Sequence, residues 1–94
     1  MKKFANNFKP AVQSLDYEQT RLRDATVLFR ATKSKAHKVR EYLQDPQDAW
    51  FIYIVEYTKT DKQWTRMTIV TEKDMQYWVD ADIALGWDVK TIIP

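Results

Sequence analysis

Residues 32–45 read TKSKAHKVREYLQD, and how this segment folds decides the architecture of the chain. Ser34 is placed to cap a helix, and Ala36, Val39 and Leu43 recur at three- and four-residue spacing, which puts them on one helical face. Asp45-Pro46 would end that helix, because a proline pushes the residue before it out of the helical region. The spacing predicts a helix with its lysines and arginines turned away from the core. His37 and Glu41, four apart, would pair on its surface.

Working outward, Ala25–Ala31 (ATVLFRA) is short, apolar and rich in strand formers. Downstream, residues 49–70 (AWFIYIVEYTKTDKQWTRMTIV) alternate with period two, as a β-hairpin does. TEKDMQYWVDADIALGW, residues 71–87, predicts a second helix with Met75, Trp78, Val79 and Ile83 as its buried stripe. Thr71 stands three residues before Asp74 as a variant capping box, and Gly86 is a C-terminal stop. VKTII, residues 89–93, reads as the last strand.

From residue 25 the expected order is β-α-β-β-α-β. That is the connectivity of an α+β, ferredoxin-like sandwich, with two helices on one face of a four-stranded antiparallel sheet. Ahead of it, Pro10, Val12, Leu15 and Leu22 predict a helical extension over 10–23, and residues 1–9 read as a basic arm. The chain is expected to be one domain over 1–94, its core spanning 25–94. A rival arrangement places the N-terminal helix inside the core.

Centring the hairpin turn on Thr60-Asp61 sets Ile52 opposite Ile69 and Ile54 opposite Met67, an aliphatic core face. The reverse face then carries Phe51 opposite Val70, Tyr53 opposite Thr68, Val55 opposite Arg66 and Tyr57 opposite Trp64. Open sheet faces are usually polar, so this one needs an occupant. Three fit: the N-terminal helix, making the face a second core; a protein partner or second copy; or stacked nucleic-acid bases. For the last, the glycine-containing aromatic signature of RNA-recognition domains is missing from QWTRMTIV.

The chain has 94 residues, 45% hydrophobic and 30% charged, a composition suited to one modest core. With no cysteine and one histidine, disulfides, thiolate chemistry and the usual zinc sites are excluded. The N-terminal lysines are followed by no apolar stretch, and the run Ala49–Val55 is far too short to span a bilayer, so a soluble, cytoplasmic protein without membrane contact is expected. Charge is uneven: residues 1–40 hold ten Lys and Arg against three acids, and residues 41–94 hold five against ten. Such asymmetry marks either a polyanion-binding end or mutual attraction within one fold.

Arg30, Lys33, Lys35, Lys38 and Arg40 have no acid among them, which would suit a phosphate backbone. The same pattern describes a solvated helix face. Asp80 and Asp82 spell a DxD, but on a helix these side chains diverge by roughly 200°, too far to chelate one ion. No activated nucleophile is evident, and a single glycine excludes a glycine-rich phosphate loop. In VEYTK, Glu56 and Lys59 point to opposite faces of a strand. No catalytic residue, metal site or cofactor is expected.

Small, cysteine-free, aromatic-rich chains without catalytic motifs resemble accessory proteins of phages and mobile elements, which act by binding a host factor. The expected function is that of a small non-enzymatic interaction protein, such as an inhibitor of a host factor. It would self-associate or bind a protein partner through Phe51, Tyr53, Tyr57, Trp64 and Arg66. The alternative is a nucleic-acid-binding regulatory module that uses the basic segment 33–40 together with Arg30.

Overall fold

The computed structural model describes residues 11–93, apart from the side chains of residues 11–14. The expected basic arm over 1–9, together with Pro10, lies outside the described residues. Helix α1 covers Ala11–Arg21. Strands β1 (Thr26–Lys33), β2 (Lys38–Gln44), β3 (Phe51–Thr58) and β4 (Arg66–Thr71) follow, then helix α2 (Met75–Ala84) and strand β5 (Asp88–Thr91). All five strands join one antiparallel sheet in the order β4-β3-β2-β1-β5. The meander β1 to β4 crosses the sheet, and α2 carries the chain back over it to place β5 beside β1.

The α+β class holds, but the βαββαβ order does not. The segment predicted as a helix over 34–45 is a single 3₁₀ turn, Ser34–Ala36, followed by β2. Its residues serve a strand equally well, because side chains four apart share a face of a strand as they do of a helix. Val39 and Leu43 are both buried on one face of β2, while Tyr42 is fully buried on the other. A helix would have sheltered only one stripe. His37 takes a left-handed conformation (φ 54°), which turns the chain from β1 into β2. Glu41 pairs with Arg30 across the β1–β2 ladder, rather than with His37.

Because β2 is a strand, both sheet faces carry apolar side chains and each is covered by one helix. Leu22, Leu43, Tyr53, Val55 and Trp64 form the core under α1, joined by Leu15, Val27 and Met67. Tyr42, Ile52, Ile54, Val70 and Val79 form the core under α2, joined by Phe29, Met75 and Val89. Burying a side chain such as Ile52 contributes roughly 1.5–3 kcal/mol, so the two layers together supply the stability of a chain without disulfides. No helix among the described residues is long and apolar enough to cross a membrane.

The β3–β4 register is displaced by one residue from the expected one. Ile52 faces Val70 and Tyr53 faces Ile69. The cause lies in the connection, which runs from Lys59 to Thr65 with Lys62 at φ 65°. Trp64 leaves the ladder and turns into the core under α1, and its backbone N–H donates to Gln19 Oε1 at 3.0 Å. Gln19 Nε2 donates to the Lys62 carbonyl at 3.2 Å. A slip of one residue exchanges the faces of a whole strand. Arg66, Thr68 and Val70 therefore share the face of α2, and Met67 and Ile69 that of α1.

Turn chemistry closes the rest. Asp45 Oδ1 accepts the Gln47 N–H at 2.9 Å and Asp48 Oδ1 the Trp50 N–H at 3.1 Å, two successive Asx turns between β2 and β3. Gly86 (φ 94°) ends α2, donating its N–H to the Ile83 carbonyl at 3.0 Å. Thr71 precedes the 3₁₀ turn that leads into α2, but its side chain makes no capping hydrogen bond.

Candidate functional site

Two features stand out from the packed layers: a charged cleft under α2 and the outer edge of β4. The cleft has a volume of about 100 Å³ and lies between α2 and strands β2, β3 and β4. Strand alternation brings Arg40, Tyr42, Glu56 and Arg66 to this face, and α2 adds Asp82 and Trp78. Arg40 Nε donates to Glu56 Oε1 at 2.8 Å, and its Nη1 bonds Asp82 Oδ1. Tyr42 donates its hydroxyl proton to Asp82 Oδ2 at 2.6 Å, and Lys38 Nζ stands 3.5 Å from Glu56 Oε2. Trp87 lies 4.3 Å beneath the Arg40 guanidinium.

Glu56 and Asp82 thus converge from separate elements, the arrangement a two-carboxylate active site would need. Both are engaged by neighbouring donors. Burial pushes the Glu56 carboxyl up, but Arg40 and Lys38 outweigh it and hold it below the usual carboxylate range. Tyr42 is held well above an ordinary phenol by burial and by Asp82, so it stays a proton donor to that acid. A carboxylate committed to an arginine is a poor general acid and has few lone pairs to offer a metal. No group of metal-ligating side chains is found among the described residues. The cluster ties α2 to the sheet, with Lys38, Arg66, Thr68 and Trp78 exposed at its rim.

A larger hollow, about 740 Å³, lies between α1 and the β3–β4 connection. It is lined by Asp16, Gln19, Thr20, Arg23 and Gln63. Gln63 Nε2 donates to Asp16 Oδ1 at 2.9 Å across it, and it gathers no nucleophile or convergent acid pair. Its size reflects an open surface.

The five residues expected to form an aromatic interface are not brought together. Tyr53 (8% exposed) and Trp64 (9%) are core residues under α1. Tyr57 is half-buried and donates to Glu41 Oε2 at 3.0 Å, its pKa pushed up to about 12 by burial and by Glu41. Arg66 is exposed on the opposite face because of the register. Phe51 alone stays at the surface on the expected face, 37% exposed. The N-terminal helix occupies that face, the first of the three occupants considered.

The basic segment does not form a helical face either. Arg30 pairs with Glu41 at 2.9 Å, Lys38 and Arg40 with Glu56, and Lys33 Nζ lies 5.5 Å over the Trp87 ring. Lys35 sits in the 3₁₀ turn, exposed. Arg30, Lys38 and Arg40 thus spend their charge on acids from the second half of the chain, in neighbouring strands and α2.

The outer edge of β4 was not legible as a candidate. Among the described residues the strand pairs with β3 alone, and Met67–Thr71 holds no charge, no proline and no bulge. Glu72 donates its N–H to the Trp50 carbonyl at 2.8 Å. Hydrogen-bonded pairs recur at every second residue of an antiparallel ladder. Arg66, Thr68, Val70 and Glu72 therefore turn their backbone groups toward β3, and Met67, Ile69 and Thr71 turn theirs outward. Ile69 is 50% exposed beside this edge, with Phe51 diagonal to it on the same face. The signal was present as an uncharged β-prone run, but its outward residues depend on the register.

Comparison with protein-family models, with curated proteins and with solved structures yields no match to this chain.

Proposed function

We propose that this protein is a non-catalytic protein-binding module that acts by strand addition at the free edge of β4. The observation that carries this reading is a six-residue outermost strand without a charge from Met67 to Thr71. Natural sheets blunt such edges with charges, prolines or bulges, because an open edge is a template for another chain. In strand addition the main-chain hydrogen bonds supply affinity and the alternating side chains supply selectivity. Ile69 and Phe51 would provide the apolar contacts. The internal pairing of Arg30, Lys38 and Arg40 favours this reading over a phosphate-binding one.

Amide hydrogen exchange on dilute, monomeric protein tests it. The amides of Met67, Ile69 and Thr71 should exchange far faster than those of Thr68 and Val70. Equal protection along β4 in the monomer would mean that the edge is already covered, and the reading would fall.

A further inference from the structure

We infer that the strand added at β4 is β4 of a second copy, paired antiparallel about a two-fold axis through Ile69. This rests on the open edge proposed above and names its occupant. The argument is one of register and charge. Opposed residues in an antiparallel pair point to the same face, and their outward backbone groups must meet each other. If Ile69 faces Ile69 of the second copy, Met67 faces Thr71 and Thr71 faces Met67. All three outward residues are then used, giving about six backbone hydrogen bonds across the join.

The same register sets Thr68 against Val70 and Arg66 against Glu72, twice, on the face that carries α2. Glu72 is exposed and follows Thr71, whose backbone is extended (φ −85°, ψ 154°), so the alternation continues through it. Its N–H is bonded to Trp50, which keeps it in line with the strand. The uncharged run is thus bracketed by one cation and one anion, an arrangement that is complementary to itself only when the strand is reversed. Centring the axis on Thr68 instead would set Arg66 against Val70 and leave Thr71 without a regular partner. Centring it on Val70 would set Met67 against Lys73, already in the 3₁₀ turn. The Ile69 register alone satisfies both the backbone and the charges. A two-fold interface of this kind is closed, so it yields a dimer with one continuous sheet rather than a fibre.

Sedimentation equilibrium over a range of concentrations, combined with amide exchange on the same samples, tests the inference. A concentration-dependent dimer is expected, in which Met67, Ile69 and Thr71 gain protection. Arg66→Glu alone or Glu72→Arg alone should weaken dimerisation about tenfold or more, since each sets like charges opposite one another at both ends. Arg66→Glu combined with Glu72→Arg should restore it. Circular dichroism of each variant checks that these exposed substitutions leave the fold intact. A protein that stays monomeric with exposed edge amides would overturn the second copy while leaving the open edge standing. A monomer with protected edge amides would overturn both. A dimer whose edge amides remain open, or one indifferent to the charge reversals, would also overturn the inference.

Discussion

The two faces of the sheet solve the same problem with opposite polarity. Under α1 the arginine is on the helix and the acid on the sheet side: Arg21 Nη1 bonds Asp45 Oδ1 at 3.0 Å, and its guanidinium lies 5.4 Å from the Tyr53 ring. Under α2 the acid is on the helix and the arginine on the sheet: Asp82 bonds Arg40, which stacks on Trp87. The two ties are enclosed to a similar degree, Asp45 being 7% and Asp82 3% exposed, and the difference lies in what else each acid serves. Arg21 also bonds Glu18 and Gln47 and so keeps partners if Asp45 is lost. Asp82 is the acceptor for both Arg40 and the hydroxyl of the fully buried Tyr42. Losing the acid that satisfies a buried hydroxyl costs more, because that hydroxyl is then stranded away from water.

The comparison can be broken most directly at Asp82. Asp82→Ala should cost about 3–5 kcal/mol, since it leaves Arg40 and the Tyr42 hydroxyl facing a buried vacancy. Urea unfolding followed by tryptophan fluorescence reads this as a lowered midpoint at unchanged slope. Asp45→Ala should cost less, about 1–3 kcal/mol, because Arg21 keeps Glu18 and gains solvent. If Asp45→Ala proved the more damaging, the contrast between the two acids would be wrong.

The smallest effect sharpens the contrast through pH. The Arg21 guanidinium holds the Asp45 carboxyl below its ordinary range, and Arg40 with Lys38 holds Glu56 below its own against the opposing effect of burial. Both native carboxyls bind a proton less readily than the same groups in the unfolded chain. Their contribution is therefore complete above the ordinary carboxylate value of about 4 and is lost as pH falls through the depressed native values. Urea midpoints should be level from pH 7 to 5 and decline below it. Asp45→Asn should flatten part of that decline and leave the part due to Glu56. A midpoint that rose on acidification would contradict the sign.

Much of the secondary structure was legible. The alternation in β3 and β4 and the Gly86 stop are local patterns, and each formed where the residues said it would, within a residue or two; of the stripe expected on α2, Val79 is buried and Met75 half-buried, whereas Trp78 and Ile83 are exposed and Asp82 is buried instead. Val39 and Leu43 were not legible in this way, because a spacing of four fits a helix or a strand. Tyr42 between the two layers decides for the strand, and its burial depends on α2 being present on the other side. The expected interface failed for a related reason. Tyr53 and Trp64 read as exposed until α1, more than thirty residues earlier in the chain, is seen to cover them.

By itself the sequence determined the class of the protein: period-two and helical runs, no cysteine, a single glycine at a helix end, and charge of both signs in excess at opposite ends. These are properties of neighbours along the chain, and local sterics and hydration are enough to set them. Only the tertiary structure decided the register of β4, the partners of the basic residues and which strand edge is left open. Those depend on Trp64 docking beneath α1 and on Asp82 meeting Arg40, contacts between residues distant in sequence whose energy exists only once the sheet has assembled.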